Sequence, residues 1–261
     1  ADSKYSHIRL WGSIGFIVAA LSLGVMIDSY GERSLIYALL ITQLVIFFLA
    51  FILPEKKINF TKFNKRSIWP ILKQREVIML LLSCALMVSS HGLLYNFYSI
   101  FLEDHSYSGA TIGLLWSVGV VFEILIFLLM PKILSKFTLK SVLLISLAFA
   151  VLRFFLIGAY VDSILILIAA QIMHAATFGS FHVASIQLIA HFFYNEHQAR
   201  GQSLYNSITY GVGGAIGGLG GGYMIEYSGM ENTFMLSAVL PFVGFFVLLL
   251  GLKTKFKAEF K

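Results

Sequence analysis

The chain has 261 residues, of which 58% are hydrophobic, 15% aromatic and only 12% charged. Soluble domains carry about 25% charged residues, so a mean hydropathy of +0.84 excludes a single soluble core: too few polar side chains exist to cover one. The lone cysteine, Cys84, excludes a disulfide framework and a cysteine-built metal site, and the net charge of +6 sits in short loops between apolar runs, a membrane-topology pattern rather than a nucleic-acid footprint.

A helix needs about 20 apolar residues to cross the hydrocarbon of a bilayer. Eight stretches qualify: 11–28, 34–53, 77–102, 110–130, 141–160, 163–189, 203–224 and 233–252. They are too long and too continuously aliphatic for barrel strands of about 10 residues. The expected fold class is therefore an all-α membrane protein with eight transmembrane helices. The chain starts at Ala1 with no signal peptide, which fits a fragment.

In the first span, Trp11 near one end reads as an interfacial anchor. After the second span, the loop 54–76 carries Lys56, Lys57, Lys62, Lys65, Arg66, Lys73 and Arg75. It reads as a solvated linker that fixes orientation, with anionic lipid headgroups as the sharper alternative. In the third span, His91, Tyr95 and Tyr98 follow the i, i+4, i+7 spacing of one helix face. That stripe suits a cavity lining or a helix-packing seam.

The fourth span holds Glu123, with Trp116 seven residues before it on the same face, and the fifth holds Arg153. Arginine stays charged, so Arg153 calls for an anion: Glu123 or a substrate carboxylate. The sixth span holds His174, Phe178 and His182, again on one face, and histidine switches charge near neutral pH. A charge in a span costs at least about 2.5–3.5 kcal/mol to insert. Glu123, Arg153 and His174 on three successive helices therefore point to proton movement, against the blander reading of an inert ion pair and a core histidine. The seventh span carries two interleaved glycine rows, Gly213/Gly217/Gly221 and Gly214/Gly218/Gly222, for static close packing or for sliding. It is not a phosphate loop.

Orientation follows from Lys and Arg. With the N-terminus cytoplasmic, the inner segments hold Lys4, Arg9, the basic loop, Lys132, Lys136, Lys140, Arg200 and the tail lysines of 253–261, while the outer segments hold only Arg33. Both ends are then expected inside. The expected localisation is a bacterial inner membrane. No Ser/His/Asp arrangement, carboxylate pair or metal-ligand spacing is present. An enzyme is not expected, nor a cofactor or a nucleic-acid partner; the expected partners are a small solute, protons and the bilayer.

Four stretches carry a family resemblance: IRLWGSIGF (8–16), LWSVGVVFE (115–123), HAATFGSFH (174–182) and RGQSLYNSITYGVGG (200–214). Through them the chain resembles the major facilitator superfamily, in the branch of phenylpropionate-type permeases, lactose permease and nucleoside/proton symporters. The resemblance implies helices five to twelve of a twelve-helix fold, with the first four outside this chain, a second chain being one place for them. Residues 1–53 would close the N-terminal half, 54–76 would be the cytoplasmic inter-domain loop, 77–252 the C-terminal half and 253–261 a cytoplasmic tail. It implies substrate binding by Arg9 and coupling by Glu123, Arg153 and His174. Thr177 departs from the lactose-permease pattern, standing where that pattern has a proton-carrying glutamate one turn after the histidine. The expected function is proton-coupled symport of an aromatic carboxylate by alternating access, with Arg9 or Arg153 for charge, His91 and His182 beside them, and Tyr95, Trp116 and Phe178 for ring contact. The alternatives are a sugar or nucleoside symporter and, from another class, a truncated scaffold or sensor that transports nothing.

Overall fold

The computed structural model describes residues 2–53, 67–252 and 256, with side chains from Trp11 onward. Long apolar helices dominate it: α1 (Asp2–Tyr30), α2 (Arg33–Ile52), α3 (Arg75–Asp104), α4 (Gly109–Lys136), α5 (Leu139–Ala159), α6 (Ile164–Phe192), α7 (198–228) and α8 (230–251). The break between α7 and α8 falls at Gly229, whose φ of +77° only glycine adopts without strain. The eight spans expected from the sequence are thus present, several of them longer than their apolar runs. The first part of the basic loop and the tail lysines lie outside the described residues.

Side-chain caps set several helix starts. Ser108 accepts the Thr111 amide at 3.2 Å to begin α4, and Thr138 accepts the Ser141 amide at 3.1 Å to begin α5. In α8, Pro241 has no N–H to offer the Ser237 carbonyl one turn back. Ser90 of α3 donates to that carbonyl instead, at 3.0 Å, and Ser83 donates to the Gly244 carbonyl at 3.0 Å. A backbone acceptor loosened by proline thereby becomes interhelical glue. At the far end of α8, Lys140 of α5 donates to the Leu249 and Leu252 carbonyls, a cation on a helix C-terminus.

Helices α3 to α8 form one bundle around a core of buried residues from Val77 to Leu252. Helix α1 packs along α4 from outside that bundle and α2 leans on α1 with none of its residues buried. The glycine rows of α7 divide. A β-carbon built on Gly213 would stand 2.7 Å from the Ala85 carbonyl oxygen; one on Gly217 would land inside contact of the Ser89 carbonyl, and one on Gly221 would meet Leu93 at 2.5 Å. This row packs α7 closely on α3. Gly214 and Gly211 meet nothing within 4 Å. Gly217→Ala should therefore destabilise by about 1–3 kcal/mol through overpacking, while Gly211→Ala leaves the melting temperature near its parent value. A thermal melt of the two variants in detergent checks the contrast.

Candidate functional site

Arg153 projects from α5 into the middle of the bundle and is fully buried, with no exposed surface. Its Nε donates to the Ala170 carbonyl at 2.8 Å, and one terminal nitrogen to Gln171 Oε1 at 3.3 Å. The other meets Thr177 Oγ1 at 3.2 Å and His91 Nε2 at 3.3 Å. The Met87 carbonyl only accepts, so the 3.0 Å contact of His91 Nδ1 puts the ring proton there and leaves Nε2 as an acceptor for the guanidinium. Phe154 adds a ring 5.7 Å away. Arg153 thus takes four neutral acceptors, and Glu123, one of the two anions expected for it, is not its partner. Oriented carbonyl, amide, hydroxyl and imidazole dipoles solvate the buried cation in place of an anion.

Glu123 of α4 pairs instead with His174 of α6, Oε2 to Nε2 at 3.8 Å. His174 Nδ1 is buried without a hydrogen-bond partner. In His91, the equivalent nitrogen bonds the carbonyl four residues back. In His174 that carbonyl belongs to Ala170 and already accepts Arg153. The next turns of α6, Ala175–Ser180, widen into π geometry, a local form concentrated at functional sites.

The face expected of α6 is present. His174 stacks on Phe178 at 5.2 Å and 5°, and Phe178 on His182 at 6.0 Å and 4°. The expected stripe on α3 splits. His91 and Tyr98 are buried, while Tyr95 turns outward and stacks on Trp116 at 6.1 Å and 25°. Tyr98 meets the edge of Trp116 at 5.5 Å, and Ser99 accepts the indole N–H at 3.0 Å. Three residues of α3 therefore hold one tryptophan of α4 in a single orientation.

A cavity of about 360 Å³ lies between α1 and this wall. Glu123, His174, Tyr95, Trp116 and Phe178 line it, and α1 contributes Gly12, Ser13 and Phe16. His91 and Arg153 stand behind the wall rather than on it. His182 lies off the cavity, beside Tyr210 at 3.0 Å and Tyr205 at 3.4 Å. The Arg9 side chain lies outside the described residues. Sequence reasoning missed Gln171, which lines the cavity three residues before His174, and Ser99. The signal for Gln171 was an amide in an apolar span; Ser99 had none. Among the described residues no group of three or more His, Cys, Asp or Glu is placed to hold a metal ion.

Three comparisons bear on this arrangement. The MFS_1 like family matches residues 1–253. The chain is 29% identical over 248 residues to the probable 3-phenylpropionic acid transporter of Escherichia coli (strain K12), covering 93% of this chain and 64% of that protein. It is 24% identical to the nucleoside permease NupG of the same organism, over 95% of this chain and 63% of that one. A crystal structure of the nucleoside transporter NupG superposes with a TM-score of 0.79 at 21% identity, over 97% of this chain and 68% of that one. The chain thus spans slightly less than two thirds of the curated relatives it matches.

Proposed function

We propose that this chain, which belongs to the MFS_1 like family, forms the larger part of a secondary transporter that moves a small aromatic solute together with a proton. In this reading α1 and α2 (residues 1–53) close the first half of a two-half machine. The loop 54–76 and the tail 253–261 are cytoplasmic, and α3–α8 (77–252) form the second half. Both ends face the cytoplasm of a bacterial inner membrane, as the clustering of Lys and Arg supports. The cavity between the halves is the binding site and rocking of the halves exposes it to either side.

The observation that carries the reading is the Glu123–His174 pair on the wall of an aromatic-lined cavity. Tyr95, Trp116 and Phe178 offer ring faces to an aromatic substrate, and Gln171, His174 and Glu123 offer polar contacts to its other end. Taking up one proton makes that wall one unit more positive, whatever else stands near. An anionic substrate is then favoured when the pair is protonated and disfavoured when it is not. The proton and the carboxylate travel together, which is symport.

Competition tests the substrate class. In proteoliposomes holding the complete transporter, arylpropionates should compete for uptake and nucleosides should not. The reverse order would favour the second reading, a nucleoside symporter, which the Gln171 amide beside stacked rings and the likeness to the nucleoside permease support. Trp116→Leu keeps an apolar side chain but removes the ring face. It should raise KM by about two- to tenfold, from the roughly 0.5–1.5 kcal/mol of aromatic pairing, with kcat nearly unchanged. Initial-rate uptake measures both constants.

A further inference from the structure

We infer that Asp28 is the latch of a gate between α1 and α4 at the Tyr30 end of the bundle, an inference that rests on the two-half reading above. Its carboxylate reaches from α1 to the first turn of α4, where Oδ1 accepts the Gly109 amide at 2.6 Å and Oδ2 the Ala110 amide at 2.8 Å. Those N–H groups have no partner within their own helix. With Ser108 taking the Thr111 amide, the first three amides of α4 are all capped, two of them by another helix. The negative charge also sits at the positive end of the α4 dipole.

Below the latch the two backbones touch. A β-carbon on Gly24 would strike the Gly109 carbonyl, and one on Gly113 would strike the Ala20 carbonyl. One on Gly109 would meet the Gly24 carbonyl at 2.7 Å and Asp28 Oδ1 at 2.9 Å. Ala20, Gly24 and Asp28 repeat every four residues along one face of α1, and Gly109 and Gly113 repeat likewise on α4. At Gly24 and Gly113 backbone meets backbone. Further along α1 the contact ends: nothing lies within 4 Å of a β-carbon on Gly15 or Gly12, and Gly12 and Ser13 line the cavity. The helices therefore meet at one end and diverge toward the other, and the cavity occupies the divergence. Glu32 before α2, Arg33 at its start and Glu103 of α3 stand around the same mouth as Asp28.

This geometry is a closed outer gate over a site that faces inward. Turning the site outward separates α1 from α4, and the two capping bonds break as it does so. Asp28 thus sets the balance between the two faces without touching substrate.

Asp28→Asn is nearly isosteric but loses the charge and one of the two acceptor oxygens. In sealed vesicles of the complete transporter, Ser13→Cys is alkylated by a membrane-impermeant thiol reagent added outside. The latch predicts labelling about fivefold faster when Asp28→Asn is added, the equilibrium shift expected of one charge at a helix N-terminus. Gly113→Val, which wedges the same seam, should accelerate labelling too. Pulsed electron–electron distances between labels at Val25→Cys and Leu114→Cys supply the second measurement, with native Cys84 buried and unlabelled. A longer α1–α4 distance in Asp28→Asn supports the latch. An unchanged labelling rate and distance, in a protein whose wild-type distance does change with 3-phenylpropionate and a proton gradient, overturns the latch alone. A distance that no condition changes overturns the two-half reading beneath it.

Discussion

Glu123→Gln is expected to abolish proton-driven accumulation while leaving substrate exchange close to wild type. The amide keeps the shape of the Glu123 side chain on the cavity wall but cannot take up a proton. A unit charge about 5 Å from a bound anion is worth about 3 kcal/mol at an effective dielectric of about 20, or about a hundredfold in affinity. Under the proposed coupling, each proton switches that term in the wild type. In the variant it is fixed, so substrate enters and leaves with equal ease from both sides and the internal concentration only equals the external one. The pH dependence is lost with it: wild-type uptake should fall as the external pH rises, and variant uptake should stay flat. Counterflow of labelled substrate against an internal unlabelled pool, beside gradient-driven uptake, separates the two steps. Undiminished accumulation by Glu123→Gln would sink the coupling scheme.

Arg153→Lys is expected to lose folded protein as well as transport, although it keeps the charge. The guanidinium spreads its donors over a rigid plane and reaches the Ala170 carbonyl, Gln171, Thr177 and His91 from different edges. An ammonium donates from one point and leaves at least one of these acceptors bare. A buried acceptor without a partner costs about 1–3 kcal/mol, so the loss for Lys should be about 3 kcal/mol and for Arg153→Met larger. Thermal melts measure this directly. Were Arg153 to meet substrate instead, Arg153→Lys would raise KM and leave the melting temperature alone.

The spans were legible because insertion into hydrocarbon depends on length and apolarity, both of which a sequence displays. The α7–α8 corner was legible only as a region, 225–232, because several residues there could turn the chain and the positive φ at Gly229 decides among them. The faces of single helices were also legible: the His174–Phe178–His182 column follows from spacing alone. What spacing could not supply was contact between helices. Arg153 and Ala170 are separated by 17 residues and a turn, and nothing local marks a backbone carbonyl as a partner for an arginine. Nor does spacing say that Asp28, one of several loop-end acids, would reach α4 rather than water.

The widened turns of α6 at Ala175–Ser180 hold one residue more than an α-helix needs there. That residue is slack in a screw thread. Tightening the turn to ordinary pitch would advance the later part of the helix by about 1.5 Å and rotate it by about 100°. His182 would swing away from Tyr205 and Tyr210 of α7 while His174 stayed facing Glu123. A helix of this kind can re-aim one end without moving the other, and a single-residue deletion within 175–180 would leave it permanently wound.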